Sequence, residues 1–277
     1  MQRELQLRVV SGIVLALIVL VATWYGGLAF SVLSAVIGLL IYREWSKITR
    51  LAANEPVANA VGWIGQAAIA VAVVSGTVGY SLILLLLFLA IAVGFVVMRG
   101  VSRWFPVGTV YAGLTGIALA NIRGADPAGL HAMLFVFAVV WATDVLAYFV
   151  GRAIGGPKLA PKISPGKTWS GAIGGAVCAV AAGMLVAYVE FPNAVPLAGF
   201  VALVLSVFSQ SGDLFESFIK RRFGVKDSSR LIPGHGGVMD RVDGLIFACF
   251  AAFLLAGLFS LIKGEQMASL GAALFGA

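Results

Sequence analysis

Charge and reactive side chains are scarce in this chain of 277 residues: 11% are Asp, Glu, Lys or Arg, 12 are acidic, two are histidine and two are cysteine. Each shortage excludes something. Cys178 and Cys249 both sit in apolar runs without metal-type spacing, so neither a disulfide framework nor a cysteine metal site is available. With His131 and His235 as the two histidines, and no cysteine near either, a tetrahedral zinc centre has no ligand set. The P-loop spacing G-x-x-x-x-G-K-[ST] is missing, and no internal repeat supports an inverted-repeat transporter. Soluble domains carry about 25% charged and about 45–50% apolar residues. Here 61% of residues are hydrophobic, which places the chain in the membrane class.

In place of charge there are apolar stretches near 20 residues, interrupted by Gly, Pro or charged residues and long enough to cross a roughly 30 Å hydrocarbon core. They predict spans near 9–24, 27–43, 58–76, 79–98, 106–121, 128–150, 169–190, 196–214 and 241–262. The fold expected is an all-α polytopic membrane protein with about nine transmembrane helices. The run SGIVLALIVLVATW follows Arg3 and Arg8, lacks a small-residue cleavage site and leads through Gly26 and Gly27 into the next segment, so it reads as a retained first span. A cytoplasmic N-terminus puts every one of the 19 Lys and Arg on the inner side except Arg123 and Lys263. That is the positive-inside pattern. It accounts for the net charge of +7 without nucleic acid, and it places the C-terminus outside.

The interiors of the first five spans are almost free of ionisable groups, and polar residues concentrate past residue 140. Residues 1–125 therefore read as a transmembrane scaffold, and 126–277 as a catalytic transmembrane region with cytoplasmic loops 151–168 and 215–240. Asp144, in WATDVLAYF, lies about six residues from the predicted inner end of its span, roughly 9 Å deep; a carboxylate there is a functional candidate or a helix-packing group bonded to Tyr148. In GRAIGGPKLAPKISPGKTWSG, residues 151–171, Arg152, Lys158, Lys162 and Lys167 supply cations, while Ser164 and Thr168 supply hydroxyls beside a helix start. That suits either a phosphate or anionic headgroups.

In SGDLFESFIKRRFG, Asp213 and Glu216 share a helix face, and Lys220 follows Glu216 at i+4. In KDSSRLIPGHGGVMDRVDG, residues 226–244, Gly234, Gly236 and Gly237 let backbone approach a ligand. Asp240 and Asp243 follow at i,i+3 on the start of the last span. Paired hard oxygens beside many cations suit Mg²⁺ held together with substrate phosphates; capping of the helix start explains one of the two aspartates. His131, near an outer span end, reads as structural. Gly171, Gly175, Ala179 and Gly183 form a small-xxx-small stripe that fits either a dimer face or packing within the monomer.

Ser217-Phe-Ile-Lys220-Arg221, Lys226-Asp227, Pro233-Gly-His235-Gly236-Gly237 and Asp240-Arg241-Val-Asp243 together resemble the signature of the phosphatidate cytidylyltransferases. GDLFES at 212–217, AYFVGR at 147–152, KLAPKISPGKT at 158–168 and RVVSGI at 8–13 are similar to that family as well. The resemblance implies a membrane-embedded, usually dimeric enzyme of phospholipid synthesis, resident in the cell (inner) membrane with its site facing the cytoplasm. It implies that CTP and phosphatidate from the inner leaflet give CDP-diacylglycerol and pyrophosphate, with Mg²⁺ and a potassium companion as cofactors. By the same resemblance Asp240 and Asp243 hold metal, with Asp213 and Asp144 completing the site. Lys167, Lys220, Arg221, Lys226 and Arg241 hold phosphates, as Ser164 and Thr168 can, and His235 sits among them. Gly166 and Ser170 depart from the family pattern, where lysine and glutamate are frequent, and Ser229 stands where glycine is frequent. Two other readings remain open: a CTP-dependent kinase of a lipid alcohol, which would release CDP, and a membrane transporter using Asp144.

Overall fold

The structure, a computed structural model, describes residues 2–190, 192–264 and 270–275, with side chains from residue 8 onward except at 263 and 270. Arg3 and Lys263, both in the charge count above, have side chains outside the described residues. The helices are α1 (Gln2–Tyr25), α2 (Gly27–Ile48), the short α3 (Leu51–Asn54), α4 (Pro56–Val74), α5 (Val78–Arg99), α6 (Trp104–Arg123) and α7 (Pro127–Ile154). A small hairpin of β1 (Lys158–Ala160) and β2 (Ser164–Thr168) follows. Then come α8 (Trp169–Glu190), α9 (Val195–Arg222), α10 (Met239–Lys263) and α11 (Leu270–Phe275).

Among the described residues nine helices are long and apolar enough to cross a membrane, the number expected from the apolar runs. Their ends carry ordinary stop signals. Gly100 takes φ 68° and closes α5, its N–H bonding to the Val96 carbonyl and the Val101 N–H to the Phe95 carbonyl, the left-handed terminus that glycine adopts without a Cβ penalty. Asp126 caps α7 by accepting from the Gly129 N–H at 2.7 Å, with Pro127 in the first helical position.

Two differences from the expected boundaries matter. Helix α9 continues through Arg222 and α7 through Ile154, so 215–222 and 151–154 are helical and not loop. Charged residues end an apolar run without breaking a helix, which hydropathy alone does not distinguish. The segment 158–168 is an antiparallel hairpin, with Lys158 paired to Thr168 and Ala160 to Ser164. Its prolines fall in the turn and on an edge, where no ladder bond is lost.

The chain forms two compact units: Met1–Asn121 with Arg222–Arg241, and Ile122–Arg221 with Val242–Ala277. In the first, Tyr42 and Trp45 of α2 are fully buried. The Trp63 ring meets Tyr42 edge-on at 5.3 Å, and Tyr111 lies 5.3 Å from Trp45. The Trp45 Nε1–H donates to the Trp104 carbonyl at 2.9 Å, so the ring is fixed by a polar handle as well as by packing. These rings lie on bare backbone: a Cβ at Gly62 would fall 1.7 Å from the Tyr42 oxygen, and one at Gly108 2.2 Å from Trp45.

In the second unit the small-residue stripe of α8 faces inward. Gly171, Gly175, Ala179 and Gly183 are all buried. A Cβ at Gly171 would come within 2.7 Å of the Ala147 carbonyl, one at Gly175 within 2.8 Å of the Thr143 carbonyl, and one at Gly183 within 2.7 Å of Ala202. Of the two uses the stripe could serve, packing within the chain is the one observed. Where lipid is as apolar as leucine, such close backbone approach is what holds helices together. The Thr143 hydroxyl adds a bond to Ser206 Oγ at 2.8 Å between α7 and α9.

Candidate active site

In the second unit, α7, the hairpin and α9 enclose a cavity of about 790 Å³. Asp144, Tyr148 and Arg152 reach it from α7, Lys158, Lys167 and Thr168 from the hairpin, and Gln210 and Asp213 from α9. Its walls are set by glycines. A Cβ on Gly151 would lie 2.8 Å from Thr168 Oγ1, so β2 and α7 meet at a distance that a side chain would forbid. Thr168 is the residue before α8, and its hydroxyl accepts the Gly171 N–H at 3.1 Å, the usual N-cap bond. Ser170 Oγ donates to the Gly155 carbonyl, which ties the start of α8 to the end of α7. Asp144 does not use Tyr148 as a packing partner; the Tyr148 hydroxyl instead accepts from Arg152 at 2.9 Å.

The Lys167 ammonium forms an ion pair with Asp213 Oδ2 across the cavity. Asp213 Oδ1 receives a long 3.4 Å bond from Ser217 Oγ. Asp243 is brought to this region by two more close approaches. A Cβ at Gly212 would stand 2.6 Å from the Asp243 carbonyl, and one at Gly244 2.6 Å from Ser209 Oγ. The glycines next to Asp213 and Asp243 thus let α9 and α10 cross at backbone distance. Asp243 lies within electrostatic range of Asp213, Asp144 and Lys220; its Oδ1 accepts the neighbouring Gly244 N–H at 2.8 Å. Lys220 itself pairs with buried Glu216 at 2.5 Å, the i,i+4 pair its spacing predicts.

Three carboxylates and two ammonium groups from α7, β2, α9 and α10 therefore share one region. Among the described residues, however, no three Asp, Glu, His or Cys side chains stand close enough to hold a metal ion as they are. Ser164 is outside the cavity lining, and Arg221 is exposed at the end of α9.

Lys226, His235, Asp240 and Arg241 belong to the first unit. Here the 226–240 segment is a tightly bonded loop. The Ile232 N–H bonds to the Gly236 carbonyl at 2.8 Å and the His235 N–H to the Ile232 carbonyl at 2.9 Å. Gly234 and Gly236 take φ 74° and 84°, which non-glycine residues rarely adopt. Asp240 Oδ2 accepts from Ser228 N, Ser228 Oγ and Gly237 N, each at 2.8 Å. His235 Nδ1 is 2.8 Å from Ser11 Oγ of α1, and Arg241 Nε donates to the His235 carbonyl at 3.0 Å. Lys226 is exposed.

One participant escaped the sequence reading. Glu44, on α2, is fully buried and accepts from this loop at both of its ends. The signal was present as a lone acid between Arg43 and Lys47, in a flank read for its positive charge. His131, expected to be structural, is 3.2 Å from Glu190.

The model of the cytidylyltransferase family matches residues 6–259. A phosphatidate cytidylyltransferase of Brucella abortus biovar 1 (strain 9-941) is 46% identical over 263 residues, which cover 93% of this chain and 95% of that protein. The phosphatidate cytidylyltransferase of Bacillus subtilis (strain 168) is 41% identical over 160 residues, 57% of this chain and 59% of that one. That of Haemophilus influenzae (strain ATCC 51907 / DSM 11121 / KW20 / Rd) is 44% identical over 156 residues, 52% and 54% of the two chains. Matched over nearly its whole length, the chain belongs to the cytidylyltransferase family.

Proposed function

We propose that this protein transfers the cytidylyl group of CTP to phosphatidate, forming CDP-diacylglycerol and pyrophosphate for phospholipid synthesis. The observation that carries the reading is the 46% identity, along 93% of the chain, to a protein named phosphatidate cytidylyltransferase. The cavity chemistry suits it. A phosphatidate oxygen attacks the α-phosphorus of CTP, the new P–O bond forms, and the α–β bridging oxygen departs with its electron pair as pyrophosphate. Such a reaction needs positioning and charge neutralisation more than covalent help. Lys167 and Lys158 at the cavity, with Lys220 and Arg221 of the same unit, are cations we assign to phosphates; Lys226 and Arg241 of the first unit are assigned to phosphates from the family resemblance. Ser164 and Thr168 are assigned alongside them, although the Thr168 hydroxyl already caps α8.

A divalent cation fits the donor types present. Asp213, Asp243 and Asp144 offer hard oxygens, the kind Mg²⁺ takes together with substrate phosphates. When bound, Mg²⁺ supplies charge stabilisation for the departing pyrophosphate. Asp240 has less to give, because its Oδ2 already accepts three donors. Potassium as a second cation, and a homodimer, rest on the family resemblance alone, since the α8 stripe is spent within the chain.

The distribution of Lys and Arg supports a cytoplasmic N-terminus and a site facing the cytoplasm in the inner membrane. The test is product analysis of the detergent-purified protein given CTP, Mg²⁺ and phosphatidate. Pyrophosphate is expected in step with CDP-diacylglycerol. Release of CDP with a phosphorylated lipid alcohol would replace this reading with the kinase.

A further inference from the structure

We propose that Glu44 is a positioning residue of the reaction, a buried carboxylate that holds loop 226–240 in its working shape. The proposal deepens the cytidylyl-transfer reading and rests on this loop belonging to the site. Glu44 Oε2 accepts from Ser228 Oγ at 3.0 Å and the Met239 N–H at 2.8 Å. Oε1 accepts from Ser229 Oγ at 2.7 Å and the Val238 N–H at 2.9 Å. One side chain from α2 thus joins the residues that enter the loop to those that leave it, and closes Arg230–Gly237 into a ring. Within that ring stand Pro233, His235 and Gly236.

A carboxylate is required by the arithmetic of donors. Ser229 Oγ and the Val238 and Met239 N–H groups donate to it outright, Ser228 Oγ shares its one proton between Glu44 and Asp240, and an ionised carboxylate is acceptor-only at both oxygens. Among the described ion pairs none involves Glu44. Its charge is met by N–H groups at the start of α10, where a helix presents unbonded donors and a positive dipole end. The ring has no slack: a Cβ at Gly237 would lie 1.9 Å from Ser228 Oγ and 2.5 Å from Glu44 Oε1. Ser228 Oγ also contacts Asp240 Oδ2 at 2.8 Å, so Glu44 acts on Asp240 through a shared serine. The neighbouring Arg241 and His235 are joined by their own bond. Placement of three of the loop's candidate residues, His235, Asp240 and Arg241, accordingly depends on a residue that does not itself belong to the loop.

The test is Glu44→Gln, which keeps size but turns one acceptor oxygen into an amide that can only donate toward its two donors. Loss of such a supporting partner costs about 10–100-fold in activity, and we expect that loss in kcat/KM for CTP. The loss should include a raised KM for CTP while the KM for phosphatidate stays within about threefold, a split that simple loss of folded protein, which leaves both KM values unchanged, does not produce. Trypsin should cut at Lys226 and Arg230 faster than in the wild type. Ser229→Ala, a milder change, should show the same split to a smaller degree, and adding it to Glu44→Gln should cost little more.

Unchanged kinetics and unchanged cleavage in either variant would overturn the proposal. So would a fall in activity that merely tracks the amount of folded protein. Faster cleavage with unchanged kinetics would show that Glu44 holds the loop but that the loop is no part of the site; cytidylyl transfer itself would stand. If Glu44→Gln does not fold, Ser229→Ala alone decides by the same measurements.

Discussion

Glu44 and Asp240, the two carboxylates bonded into loop 226–240, and those near the 790 Å³ cavity are treated in opposite ways. Glu44 and Asp240 are filled with donors from the loop itself: two serines and the N–H groups of Ser228, Gly237, Val238 and Met239. Asp213 and Asp243 receive little by comparison, a lysine and a long serine bond on one and the next residue's N–H on the other. A carboxylate whose lone pairs are all used by backbone and hydroxyls fixes a conformation. One left with open lone pairs, lining the cation-rich cavity as Asp213 does or within electrostatic range of that lining as Asp243 is, is disposed to meet a ligand. Sequence spacing pairs Asp240 with Asp243 as equals on one helix turn; their hydrogen bonds separate them.

The largest effect follows from that separation. Asp243→Asn conserves shape and the Gly244 contact but removes charge from the region shared with Asp213 and Asp144. Cytidylyl transfer should fall about 10³-fold, the scale for losing a group that stabilises transition-state charge, while thermal unfolding stays near wild type. Pyrophosphate release and a melting curve on the same preparation measure both. If Asp243→Asn instead melted early and kept its activity per folded molecule, the two aspartates would be alike after all.

The second comparison sets one glycine of each region against the other. Gly237→Ala drives a methyl into Ser228 and Glu44, an overpacking of about 1–3 kcal/mol. It should lower the melting temperature and speed tryptic cleavage at Lys226 and Arg230. Gly166→Ala, on the cavity side of the hairpin, has nothing within 4 Å of the added methyl and should leave melting unchanged. Equal melting of the two variants would mean that the loop is as loosely built as the hairpin.

What the sequence showed and hid follows the same physics. The spans were legible because burial in lipid demands about 20 apolar residues in a row, and nine such helices are observed. Helix ends were less so, since Glu216 and Lys220 continue α9 by pairing with each other where hydropathy reads a loop. The hairpin was hidden by Pro161 and Pro165. Asp144, Lys167 and Asp213 were picked out from the sequence, and they meet at one cavity. Glu44 was not, because its partners lie 184 to 195 residues away and no local pattern announces them. The stripe on α8 was visible, but which surface it served could be settled only by seeing Ala147, Thr143 and Ala202 against it.

The smallest effect expected tests whether Thr168 belongs with the filled groups or the open ones. It lines the cavity, yet its Oγ1 accepts the Gly171 N–H and lies 3.0 Å from Ser170 Oγ. As a cap, it should cost about 1 kcal/mol of stability when changed to alanine, and serine should restore nearly all of that. If capping is its one role, against its assignment to a phosphate, its effect on the KM for CTP is slight in both variants. A KM that rises severalfold in Thr168→Ala, with melting unchanged, would move the hydroxyl from the helix to the substrate. The N-cap bond would then give way to a phosphate that takes the Gly171 N–H in its place.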